Sequence, residues 1–166
     1  VTFPESVKLA QGVPVFVETQ DHQVTLEAIK AAVTPKTKAI LLNSPSNPTG
    51  AVYSTEVLKA IGEFAAENKI YIVSDEAYEG LVFDGNKHVS IASLSPEIAE
   101  WTLTSQTFSK SYCMTGFRIG WLAALTHIIK MMTKLHSHLT GNVCTFAQYG
   151  GLAALSMDHQ ILTDMQ

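Results

Sequence analysis

The sequence predicts an α/β fold, with a mainly parallel, mixed β-sheet flanked by helices on both faces. Three observations predict it. Short apolar runs alternate with amphipathic segments along the chain. Those runs are nearly continuous in apolar character, as expected of strands buried on both sides. Polar residues with chemical potential then fall directly after the runs, at the carboxyl ends of strands, where open α/β sheets bind ligands.

Each element has its own warrant. Val13 to Glu18 is rich in β-branched residues and predicts a strand. Thr25 to Val33 predicts a short helix, with Leu26, Ile29, Ala32 and Val33 at helical spacing and Pro35 beyond its end. Lys38 to Asn43 predicts a short apolar strand running into a proline-rich loop. Ser54 to Asn68 is the clearest helix: Ser54 can cap it, and Val57, Leu58, Ile61, Phe64 and Ala65 recur on one face. Ile70 to Ser74, Trp101 to Gln106 and Phe117 to Ala123 predict three more strands. Thr126 to Ser137 and Cys144 to Ser156 predict two more helices.

The bulk properties narrow the function classes. A chain of 166 residues, 46% hydrophobic and 16% charged, supports one domain with a buried core. The net charge of −4 carries no basic stripe, so nucleic acid is not an expected partner. No apolar run reaches the ~20 residues of a membrane helix, and no membrane association is expected. The start, Val1-Thr2-Phe3-Pro4-Glu5, has no signal-peptide character and no initiator Met, which suggests a partial sequence. Cys113 and Cys144 form neither a disulfide framework nor a metal pattern, which fits a reducing, cytoplasmic setting. The six histidines, His22, His88, His127, His136, His138 and His159, have no metal-ligand spacing, so no metal is expected.

Three clusters follow strands. Asn43-Ser44-Pro45-Ser46-Asn47-Pro48-Thr49-Gly50 follows the first apolar strand, Asp75-Glu76-Ala77-Tyr78 the second, and Thr107-Phe108-Ser109-Lys110 the third. Each has a plain structural reading. Asn-Pro-Thr-Gly is a turn, Asp75 is able to cap a helix, and Tyr78 is able to fill a core. Lys110 and Arg118 have the ordinary reading of surface charges. Each also has a chemical reading. A carboxylate at a strand end needs a cationic partner. A lysine of lowered pKa forms a Schiff base with an aldehyde. A guanidinium grips a phosphate through paired hydrogen bonds. A rigid turn presents the Asn47 amide as a donor, and one helical turn puts Tyr78 on the side of Asp75.

The clusters occur in order, at spacings of 28 (47 to 75), 35 (75 to 110) and 8 (110 to 118). The stretches N-S-P-S-N-P-T-G at 43–50, S-D-E-A-Y at 74–78 and T-F-S-K-S-Y-C-M-T-G-F-R-I-G-W at 107–121 resemble the class I/II aminotransferases. These are fold type I enzymes that use pyridoxal 5′-phosphate (PLP). Pairing a Schiff-base lysine with an acid at the pyridine nitrogen is a known signature of this cofactor. The resemblance runs over nearly the whole chain. It implies an amino-acid:2-oxo-acid transaminase in which Lys110 holds PLP and then moves the proton at the substrate's Cα. It implies that Asp75 keeps the pyridine nitrogen protonated and that Asn47 and Tyr78 donate to the phenolic oxygen. Thr107, Ser109 and Arg118 would hold the phosphate. Ser46 and Phe117 depart from residues common in the family, at positions without a chemical role.

The resemblance also implies a homodimer and a longer enzyme. An N-terminal segment and a C-terminal small domain of the family have no counterpart here. The expectation is therefore a single partial domain over 1–166, the central portion of the PLP-binding large domain. Two alternatives stand beside transamination. One is another fold type I reaction, such as a C–S β-lyase or an ACC-synthase-like elimination. The other is a catalytically incomplete PLP-binding fragment.

Overall fold

The computed structural model of the chain describes residues 2–158 and 160; of the residues named above, Val1 and His159 lie outside that set. Its centre is a four-stranded sheet of β1 (Ala39–Asn43), β2 (Tyr71–Asp75), β3 (Thr102–Thr107) and β4 (Gly120–Ala123), ordered β1-β2-β3-β4. The first two pairings are parallel and the third is antiparallel, which is the expected mixed sheet. Helices α1 (Thr2–Leu9), α2 (Leu26–Ala32), α3 (Thr55–Glu67), α4 (Pro96–Glu100), α5 (Phe108–Ser111), α6 (Thr126–Leu139) and α7 (Thr145–Leu155) surround it.

Side-chain alternation decides what the sheet covers. Leu42, Ile72, Ser74, Thr102, Thr104 and Gln106 point to one face and are buried there. Helices α2, α3 and α4 cover that face, joining Ile29, Leu58, Ile61, Ala65 and Ile98 to Leu42 and Ile72 in the main core. Helix α3 begins where Ser54 Oγ accepts from the Val57 amide at 3.3 Å, and Thr25 caps α2 in the same way. Helices α3 and α4 approach closely at Gly62, where a Cβ would lie 2.7 Å from Ile98. The opposite face is less covered: Leu41 is 39% exposed, and Val73 and Leu103 are half-buried. A smaller cluster joins Phe108, Met114 and Ala154, binding α7 to the segment after β3.

The predicted strand at Val13 to Glu18 does not form. Those residues have no strand pairing, and Val13 and Phe16 are 85% and 76% exposed. Branched side chains favour a strand only where a neighbour gives them a surface to pack on, and Pro14 removes a ladder donor. The strand predicted from Phe117 starts later, at Gly120. Residues Thr115–Phe117 form a 3₁₀ turn, and Arg118 is left-handed at φ 51°. Gly120 is required where β4 meets β3, because a Cβ there would sit 2.5 Å from the Gln106 carbonyl oxygen.

Candidate active site

The parallel register brings three polar residues into one row. Asn43 pairs with Asp75, and Asp75 with Ser105, at the carboxyl ends of β1, β2 and β3. They lie on the less covered face, opposite the main core. Asn43 does more than end a strand. Its amide donates to the Asp75 carbonyl at 3.3 Å, and its Oδ1 accepts from the Asn47 amide N–H at 3.0 Å. The Ser44 amide donates to the same Asp75 carbonyl at 3.3 Å. One asparagine thus ties the loop 43–50 to the strand end that carries Asp75. The sequence signal for this role is its position, at the end of a strand and four residues before Asn47.

Asp75 is half-buried, and one of its oxygens, Oδ1, accepts from the Ala77 amide at 3.2 Å. Loss of solvent raises its pKa above the ordinary 3.8. The Ala77 hydrogen bond opposes that rise, and the charge of Glu76 adds to it. No helix follows Asp75, so it caps none. Residues 77–80 form turns, with the Glu79 amide donating to the Glu76 carbonyl at 3.0 Å and the Leu81 amide to that of Tyr78 at 2.9 Å. Tyr78 is therefore placed by a turn rather than by the expected helical spacing.

Tyr78 is the meeting point of two other residues. The Asn47 side-chain amide donates to its hydroxyl at 2.9 Å across 31 residues of sequence. The Lys110 Nζ stands 5.2 Å from its ring centroid. Lys110 lies on α5, which starts directly after β3 and is capped by Thr107, whose Oγ1 accepts from the Ser109 amide at 3.1 Å. The Thr107 hydroxyl donates to the Ile119 carbonyl at 3.3 Å, and the Thr115 hydroxyl donates to that of Ser109 at 3.1 Å. Arg118 is exposed, and its Nη1 donates to the Thr115 carbonyl at 3.0 Å. The structure therefore joins Asn47, Tyr78 and Lys110 into one group, and links Thr107, Ser109 and Arg118 through the 107–119 segment.

Among the described residues, no salt bridge engages Asp75, Lys110 or Arg118. Among those residues, one acid, one amine and one guanidinium are left without a salt-bridge partner. That donor set fits PLP, which offers a basic ring nitrogen, an aldehyde and a phosphate. An open cleft of about 770 Å³ is lined by residues that include Phe108, Ile119, Trp121, His136, Leu152 and Leu155, and none of the predicted site residues lines it. Its wall is mainly apolar. Among the described residues, no group of three or more His, Cys, Asp or Glu side chains could hold a metal ion, and no helix is long and apolar enough to cross a membrane.

Fold and site together define an α/β domain with a mixed sheet and polar clusters at its strand ends, and comparison with known proteins places it. The family described as "Aminotransferase class I and II" matches residues 1–166. The chain belongs to that family. It is 51% identical over 169 aligned residues to the aspartate aminotransferase of Geobacillus stearothermophilus, covering 100% of this chain and 43% of that protein. It is 50% identical to the aspartate aminotransferase of Bacillus subtilis, with the same coverage. Among solved structures, the aromatic aminotransferase from Pyrococcus horikoshii superposes with a TM-score of 0.94 at 38% identity, covering 99% of this chain and 45% of that one. Aspartate aminotransferase from Thermus thermophilus with maleate gives a TM-score of 0.90 at 40% identity, covering 99% of this chain and 42% of that one. The chain thus spans less than half the length of the relatives it matches.

Proposed function

We propose that this chain is the cofactor-holding part of a PLP-dependent transaminase that moves an amino group between an amino acid and a 2-oxo acid. One observation carries the reading: Lys110, just after β3, stands 5.2 Å from the Tyr78 ring that Asn47 also meets, Asp75 ends the neighbouring strand β2, and among the described residues no salt bridge engages Asp75, Lys110 or Arg118. When bound, PLP supplies an aldehyde that receives the amino group and a ring that takes up the electron pair left at the substrate's Cα.

The chain's residues make that chemistry directional. Asp75 holds a proton at the ring nitrogen, because an ion pair there restores the charge neutrality that partial burial demands. Asn47 and Tyr78, already paired with each other, offer N–H and O–H donors to the phenolic oxygen. Lys110 would hold the aldehyde carbon, and its amine would take and return the proton at the substrate's Cα. Arg118, Thr107 and Ser109 grip the phosphate, with the guanidinium supplying charge and paired donors.

Aspartate is the first amino acid to test, because the relatives at about half identity carry that name. A homodimeric, cytoplasmic enzyme is part of the proposal. Exposed Phe146, Tyr149, Leu152 and Leu155 on α7 support a covered surface in the assembled protein, and Cys113 and Cys144 are free. The deciding experiment is a single half-reaction of the PLP-bound protein with L-aspartate. Transamination yields one 2-oxo acid per site and no free ammonia. A β-lyase or eliminating enzyme would leave L-aspartate unchanged and release ammonia from an amino acid with a leaving group on Cβ, such as L-cysteine, and that result would replace the proposal.

A further inference from the structure

Glu76 follows Asp75 in sequence but points the other way. The residue is 1% exposed, on the side of the sheet that the helices cover. A buried carboxylate needs its oxygens satisfied. Here the Ser74 hydroxyl donates to Oε1 at 2.8 Å, the Ser90 hydroxyl donates to the same oxygen at 3.0 Å, and His88 Nε2 lies 3.2 Å from Oε2. Ser74 belongs to β2, while His88 and Ser90 come from the loop that precedes the 3₁₀ turn Ile91–Ser93. The Glu76 amide also donates to the Ser105 carbonyl of β3 at 3.0 Å. One residue thus binds β2, β3 and a distant loop at the point where Asp75 leaves the strand and the turn to Tyr78 begins. Glu79 is the other carboxylate nearby. It takes a hydrogen bond from Gln106, and the charge of His88 acts on it.

We propose that Glu76, His88 and Ser90 are positioning residues for the cofactor site: the loop holds the Glu76 carboxylate, and the carboxylate fixes the backbone between Asp75, on the opposite face, and the turn that carries Tyr78. This rests on the PLP reading above. A stabilising pair with no bearing on the site would affect folding alone. A positioning role also alters how tightly PLP is held and the pH at which the absorbance of the lysine-bound cofactor changes, because Tyr78 and Asp75 set both.

The test uses the intact protein carrying PLP, with His88→Leu, His88→Gln and Ser90→Ala. Leucine removes the donor to Oε2. Glutamine replaces it, since its side-chain nitrogen lies about as far from the backbone as Nε2. The readouts are the PLP dissociation constant, the pH midpoint of the cofactor absorbance, and circular dichroism with a thermal melt. His88→Leu is expected to weaken PLP binding about tenfold, the scale of an uncompensated buried charge, and to move the midpoint. His88→Gln is expected to stay within about threefold of the parent, and Ser90→Ala to lose about threefold, as for one neutral hydrogen bond. Melting temperatures that fall while affinity and midpoint stay at the parent's values would overturn the inference. So would a His88→Leu protein that matches the parent in every readout. If His88→Leu does not fold, Ser90→Ala decides: parental affinity and midpoint overturn the inference, and a threefold loss supports it. A parent that shows no cofactor absorbance would sink the PLP reading itself, and this inference with it.

Discussion

Replacing Asp75 with asparagine separates a cofactor role from a structural one, because the two predict opposite signs. In the cofactor-free protein, burial and the Glu76 charge raise the Asp75 pKa above 3.8. A carboxyl whose folded pKa is raised binds its proton more tightly folded than unfolded. It therefore costs stability that grows as pH rises from the unfolded value through the folded one. Asp75→Asn removes the charge while its amide oxygen can still accept from the Ala77 N–H. The cofactor-free variant should thus be as stable as the parent or more so at pH 7, with the advantage vanishing on acidification through the carboxylate range. With PLP the sign reverses. The variant loses a charge-assisted hydrogen bond to the ring nitrogen, about 1.5–3 kcal/mol, which is roughly a ten- to hundred-and-fiftyfold weaker dissociation constant. Thermal melts with and without PLP, alongside a fluorescence titration of PLP, give both numbers. An Asp75→Asn protein that binds PLP like the parent, or that melts lower without it, refutes the reasoning.

Other predictions concern single contacts. The Asn47–Tyr78 hydrogen bond of 2.9 Å should appear as coupling in a double-mutant cycle of Asn47→Ala and Tyr78→Phe, about 0.5–1.5 kcal/mol in PLP binding; additive losses would mean that the two act separately. Arg118→Lys keeps the charge but loses the paired donors, so PLP binding should weaken while the far-ultraviolet spectrum stays parental. Ile72 is fully buried beneath the helices; Ile72→Ala should cost about 2–5 kcal/mol in urea unfolding, and a cost below about 1 kcal/mol would mean the core is not where it is drawn.

The legible parts of the fold share a property: their signal is local. Leu58, Ile61 and Ala65 repeat at the helical period, and Ser54 stands where a cap is needed, so α3 could be read almost to its ends. The cores of β1 and β2 are apolar runs bounded by polar residues, and the site clusters sit at their ends. Ser95-Pro96-Glu97 is also a cap followed by a favoured first helical residue, and it begins α4; that short helix went unread because one turn leaves little periodicity. Val13 to Glu18 failed for the opposite reason, having strand composition without a partner strand. Of the site, the residue types and their order were visible. The turn that carries Tyr78, the bracing by Asn43 and the Glu76–His88 contact were not, because each depends on a register or a loop that only the folded chain brings together.

The central claim is that Lys110, among all the lysines, holds the cofactor. Borohydride reduction of the PLP-treated protein converts a lysine–PLP linkage into a stable secondary amine, and peptide mapping by mass spectrometry then locates it. The account predicts a phosphopyridoxyl group on the peptide containing Ser109-Lys110-Ser111, and on no other at stoichiometric yield. A label on a different lysine, or none after reduction, would contradict it.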